Sequence, residues 1–127
     1  MKQDLTTNSE RRVYYVAGPM RGLPDHNVEA FDREADRLRA LGHEVYNPAD
    51  HEKDSGVLPK ITKDMWSQED FEKVGFNLRA TFAAESSFIC LEATHIFMLP
   101  GWSRSTGAPA ERALGIAIGL VIEGAAA

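Results

Sequence analysis

Glu111 ends the segment Ser103-Arg104-Ser105-Thr106-Gly107-Ala108-Pro109-Ala110-Glu111, which leads from an apolar run into a helical pattern. The hydroxyls of Ser105 and Thr106 and the N–H groups around Gly107 can bind an anion at the positive end of the helix dipole. With the helix starting near Pro109, Glu111 falls in its first turn. The dipole favours an ionised carboxylate there, suited to act as a nucleophile or to steady a developing cation. An acid at that place is equally an ordinary stabilising choice, worth about 0.3–1 kcal/mol. Glu85 is harder to explain as surface. At about 100° per residue it lies between Phe82 and Ile89 in the apolar stripe of another helix, where a carboxylate loses solvation unless it meets a cleft or a wetted edge. A third segment, Gly18-Pro19-Met20-Arg21-Gly22, follows an apolar run directly. A turn there offers backbone N–H groups, and Arg21 adds a bidentate donor for phosphate or carboxylate. The same residues also make a plain tight turn.

Other chemistries lack their residues. The sequence has no G-x-G-x-x-G dinucleotide fingerprint, no Walker loop and no G-x-S-x-G elbow. His26, His43, His51 and His95 show no metal spacing and are expected to be structural or exposed; neither metal nor cofactor is expected. A single cysteine, Cys90, excludes an intrachain disulfide and a Cys-based zinc site. Among 127 residues, 14 Lys and Arg face 19 Asp and Glu, a net charge of −5. Without a basic face the chain is not expected to hold a nucleic-acid polymer through its phosphates. No apolar stretch approaches the roughly 20 residues of a membrane span, and Met1 to Arg11 is too polar for a secretory signal. A cytoplasmic protein with no membrane partner is expected.

The elements that must position these groups can be read from periodicity. Residues 1–11 are expected to form a flexible tail and 12–127 a single domain. Val13 to Ala17 reads as a buried strand stopped by Gly18-Pro19. Val28, Phe31, Ala35, Leu38 and Leu41 have helical spacing, with Asn27 placed to cap the start and Gly42 the end. Glu44 to Tyr46 gives a second strand, closed by Asn47-Pro48. From Ala49 to about Gly75 the pattern is irregular and reads as a long loop, with Met65 and Trp66 folding back over something. A second helix carries Leu78, Phe82, Ile89 and Ala93; a strand, His95 to Leu99, ends at Pro100-Gly101; a third helix runs from near Pro109 to Gly119; Leu120 to Ile122 makes one more strand. Short apolar strands alternating with helices imply right-handed βαβ units. The expected architecture is therefore α/β, a Rossmann-like (flavodoxin-like) three-layer sandwich around a parallel sheet of four to five strands. Ligands in such folds sit beyond the carboxyl ends of the strands. That rule gathers Gly18 to Gly22, Asn47 to Asp50 and Gly101 to Glu111 into one crevice, with Trp66 and Trp102 on loops facing it.

Taken together, VYYVAGPMRG (Val13 to Gly22), Leu23-Pro24, Asn27, Asn47-Pro48-Ala49, Leu99-Pro100-Gly101-Trp102 and Ser105-x-Gly107-x-x-x-Glu111 resemble the nucleoside 2-deoxyribosyltransferase-like superfamily, closest to its small bacterial and phage branch. The resemblance runs from about Arg12 to Leu120. It implies cleavage of an N-glycosidic bond, with Glu111 as nucleophile at C1′ of the sugar and Glu85, in the place of the family's usual aspartate, as the acid assisting departure of the base. It implies a substrate site made of Gly18, Pro19, Met20, Arg21 and Gly22 after the first strand, Asn47 after the second, and Gly101, Trp102, Ser105 and Gly107 after the third. Superfamily members acting on free nucleosides tend to carry an acid where this chain has Ser105, whereas nucleotide N-hydrolases resemble this chain. A carboxylate there would repel a 5′-phosphate that a serine can bind. The expected substrate is thus a small-molecule deoxynucleotide, hydrolysed to free base and deoxyribose 5-phosphate. Base exchange between deoxynucleosides and a non-catalytic nucleotide sensor or sequestering protein are the alternatives. By the same resemblance the chain is expected to form a homodimer or higher homo-oligomer.

Overall fold

The computed structural model describes residues 11–127, so all of the expected tail except Arg11 lies outside the described residues. Four strands, β1 (Val13–Ala17), β2 (Glu44–Tyr46), β3 (His95–Met98) and β4 (Val121–Gly124), form one sheet in the order β2-β1-β3-β4, with every neighbouring pair parallel. Five helices accompany them: α1 (Val28–Ala40), α2 (Pro48–Ser55), α3 (Gln68–Glu72), α4 (Leu78–Leu91) and α5 (Gly107–Ala117). This is the Rossmann-like three-layer α/β architecture that the alternation of strand and helix implies.

The two-residue period of β1 divides the core. Tyr14 and Val16 point to one face, where they pack with Phe31 and Leu38 of α1 and with Ala49 and Leu99. Tyr15 and Ala17 point to the other, where they meet Ile89 of α4, Ile96 and Met98 of β3, and Ala108 of α5. From β1 the chain moves outward to β2 in one direction and later to β3 in the other. The order therefore reverses between β1 and β3, and a crevice opens beyond their carboxyl ends at that switch point.

Three local expectations are corrected. The stretch from Ala49 to Gly75 is largely helical rather than one long loop: it holds α2, a 3₁₀ turn at Leu58–Lys60, and α3. Asn47 caps α2, its side chain accepting from Ala49 N–H, and Ser67 forms a reciprocal capping box with Asp70 on α3. Short polar helices with few apolar residues leave little period to read; here Val57, Phe71 and Phe76 are buried in a small core of their own. Asn27, second, does not cap α1 with its side chain, which instead donates to the Pro19 carbonyl at 3.0 Å and ties down the loop after β1. Third, α4 ends at Leu91, so Ala93 lies beyond the helix.

Two glycines are demanded by packing. A Cβ on Gly115 of α5 would strike the Ile96 side chain. Gly124 has φ +98°, and a Cβ there would press on the Met98 carbonyl oxygen, closing the β3–β4 seam. Gly124→Ala is expected to cost about 1–3 kcal/mol, read as a lower urea midpoint at unchanged slope.

Candidate active site

The crevice is a cavity of about 520 Å³. Its polar floor is built from three elements. Tyr15 rises from β1, Glu85 comes from the middle of α4, and Glu111 comes from α5. The carboxyls belong to buried residues, 9% and 6% exposed, so the apolar stripe of α4 does carry an acid inward. The Tyr15 hydroxyl donates to Glu111 Oε2 at 2.7 Å.

Burial governs the protonation of this group. It pushes Glu85 up to about 8, with the charges of Glu111 and then Glu52 adding to the effect. It pushes Glu111 up to about 7, opposed by the hydrogen bonds it receives from Tyr15 and Glu85. Tyr15 itself is held well above the ordinary tyrosine range, chiefly by burial and then by the two carboxylates. The expectation that a helix dipole keeps Glu111 ionised is therefore corrected. The helix starts at Gly107, not Pro109, so Glu111 stands in its second turn, and desolvation outweighs the dipole. What distinguishes the two acids is their neighbours. Tyr15 favours the anion of both acids, but Glu85 also faces the charges of Glu111 and Glu52, which favour its protonated form.

The remaining expected residues divide. Gly18, Met20, Arg21, Ser105 and Gly107 line the cavity. Just ahead of α5, Ser105 Oγ accepts from Ala108 N–H at 3.1 Å, which leaves its hydroxyl proton for a ligand. Arg21 is half-buried, burial weighs against its charge, and it donates to the Trp66 carbonyl, securing the segment before α3. Glycine at position 18 is required by Leu99, whose side chain leaves no room for a Cβ.

Pro19, Gly22, Asn47, Gly101 and Trp102 are not among the lining residues. Gly22 acts indirectly, since the Trp66 indole occupies the space of its missing Cβ and Trp66 does line the cavity. Asn47 is buried between the α2 N-terminus and Asp32, to which it donates at 2.9 Å. Gly101 turns the chain with φ +87° and donates its N–H to the Ala127 carbonyl. Trp102 donates from Nε1 to the Ala125 carbonyl at 2.9 Å, beneath the Arg112 guanidinium, and so anchors the C-terminal residues.

The sequence alone missed Tyr15, His26 and Glu52, all buried and all on the cavity wall. A tyrosine in a strand buried on both faces needs a hydroxyl partner, a signal that could have marked Tyr15. His26, expected to be structural or exposed, pairs with Glu52 through Nδ1 at 2.9 Å; 26 residues separate the two, and no local period links them. Among the described residues no group of three or more His, Cys, Asp or Glu is placed to hold a metal ion.

The protonation pattern fixes a pH dependence of stability. Both carboxyls bind protons more tightly folded than unfolded, where a glutamate has its ordinary value near 4.5. Their contribution is therefore full below about pH 4.5 and is lost as pH rises through about 7 and 8. Urea unfolding from pH 5 to pH 9 should show stability falling by a few kcal/mol from this pair, a slope that Glu85→Gln flattens.

No helix among the described residues is long and apolar enough to cross a membrane. No curated protein and no solved structure matches the chain. A family model described as a domain of unknown function, DUF4406, matches residues 12–123, a span that contains all of the sheet except its last residue, Gly124, and both cavity acids. The chain is accordingly a member of the DUF4406 family.

Proposed function

We propose that this chain is a cytoplasmic N-glycosidase of the nucleoside 2-deoxyribosyltransferase-like kind, hydrolysing a 2′-deoxynucleoside 5′-monophosphate to free base and deoxyribose 5-phosphate. The observation that carries the reading is the buried Tyr15, Glu111 and Glu85 group at the carboxyl end of the sheet, in one cavity with Arg21 and Ser105. Two neighbouring carboxyls with different proton preferences are what a retaining glycoside cleavage requires.

In this mechanism the Glu111 carboxylate attacks C1′. The bond from C1′ to the base nitrogen breaks, its electron pair leaves with the base, and Glu85 supplies the proton. Tyr15 orients Glu111 until it becomes an ester oxygen. Water then attacks C1′, the Glu111 carboxylate departs, and Glu85, now a carboxylate, takes the water proton. Arg21 and the Ser105 hydroxyl receive the 5′-phosphate, with Arg21 exchanging the Trp66 carbonyl for it. The apolar wall, which includes Phe31, Phe76 and Trp66, suits the faces of a nucleobase. A cavity of about 520 Å³ is in the range of small-molecule sites.

Chromatography of a deoxynucleotide panel, modified bases included, should reveal free base. Glu111→Gln should lower turnover at least about a thousandfold, as expected when a nucleophile is removed. Intact substrates throughout, or full activity in that variant, would sink the reading. New nucleoside formed only when a second base is added would indicate base exchange instead, and binding without product would indicate a sensor. Activity against pH should be bell-shaped about neutrality, because Glu111 must be ionised while Glu85 keeps its proton.

The reading includes a homodimer. Leu91, Ile116, Ile118 and Val121 are 76%, 51%, 45% and 49% exposed, an apolar surface that a second copy would cover. Light scattering should give twice the chain mass, and Ile116→Glu should reduce it towards one.

A further inference from the structure

His26 and Glu52 are both buried on the cavity wall, 2% and 6% exposed, and the mechanism above uses neither. An ionised carboxylate only accepts, so the hydrogen bond between His26 Nδ1 and Glu52 Oε1 places the proton on Nδ1. In the neutral ring Nε2 is then an acceptor, and it is buried without any hydrogen-bond partner. Filling space does not account for this arrangement. The ring lies 5.7 Å from that of Phe71, where an apolar side chain would pack without desolvating two polar groups. The backbone is also strained to hold it, since Asp25, His26 and Asn27 run through φ values of 49°, 50° and 61°.

The position of the pair is informative. His26 follows β1 and approaches the cavity with Phe31 of α1, whereas Ser105 and Gly107 enter from the start of α5, which packs on the other face of the sheet. A nucleotide whose phosphate meets Ser105 at the start of α5 therefore has a further polar contact available, on the side of α1, for another part of the molecule. We propose that the His26–Glu52 pair reads the nucleobase: Glu52 fixes the ring, and His26 Nε2 accepts a hydrogen bond from an exocyclic amino group, selecting amino-bearing bases. This rests on the nucleotide reading above and adds the class of base. A base without that donor leaves Nε2 unpaired, and the loss of one such bond corresponds to about tenfold in affinity.

The test is calorimetric binding to the full chain in a Glu111→Gln background, which prevents turnover. Two matched pairs of deoxynucleoside 5′-monophosphates are compared: adenine against unsubstituted purine, and cytosine against pyrimidin-2-one. Deoxyribose 5-phosphate serves as the base-free ligand. In at least one pair the amino-bearing member should bind about tenfold more tightly. His26→Asn keeps a donor for Glu52 and tolerates the left-handed backbone but lacks the Nε2 acceptor. It should lose the preference while binding deoxyribose 5-phosphate unchanged. His26→Gln, whose amide oxygen reaches the Nε2 position, should retain it. No preference in the parent protein, or a preference that survives in His26→Asn, overturns this inference and leaves the glycosidase reading standing. Failure of every ligand to bind overturns both.

Discussion

Two carboxyl groups taken out of water side by side set the terms for the rest of this molecule. Glu85 and Glu111 cannot both be ionised in the floor of one cavity without a large desolvation and repulsion cost, and the protein meets that cost by keeping a proton there near neutrality. Each surrounding element has a part in this. The strand β1 brings the Tyr15 hydroxyl to Glu111, while α4 and α5 supply the acids from two helices packed side by side. Buried acids of this kind reduce stability at higher pH, and here they lie in the cavity at the switch point of the α/β sheet.

The second constraint is the division of β1 between two faces. Tyr14 and Tyr15 are adjacent, both aromatic, and both buried, yet their neighbours are unrelated. The Tyr14 hydroxyl donates to Glu123 at 2.7 Å and accepts from Arg12, a partly exposed structural contact. Tyr15, one residue on, faces the cavity acids. A register shift of one residue in this strand would exchange the two, so the exactness of the sheet pairing is part of the site's chemistry.

The loop after β1 and the segment before α3 form a third, more lightly held layer. Gly22 makes room for Trp66, Arg21 bonds the Trp66 carbonyl, and Asn27 braces Pro19. Trp66 remains 46% exposed beside this framework. This part of the cavity wall is therefore made from residues that satisfy one another without deep burial, in contrast to the buried carboxyl floor.

Strand and helix identity were legible in the sequence because they rest on local periods: alternation in Val13 to Ala17, helical spacing in Val28 to Leu38, and turn residues after each strand. Glu85 stood out for the same reason, as an acid in an apolar stripe, and the rule of carboxyl-end crevices grouped Arg21, Ser105 and Glu111 correctly. The short helices between Ala49 and Gly75 were not legible, because a polar helix of five or eight residues has too few apolar positions to show a period. Nor were the separate fates of Trp66 and Trp102, two similar loop residues of which only the first lines the cavity. Only the tertiary structure decided protonation and partnership: that Glu111 is held by Tyr15, that desolvation overrides a helix dipole, and that His26 is joined to Glu52. Those facts depend on distances between residues far apart in the chain and on the exclusion of water between them. A sequence specifies residue order, but an electrostatic environment exists only once the chain has closed around it.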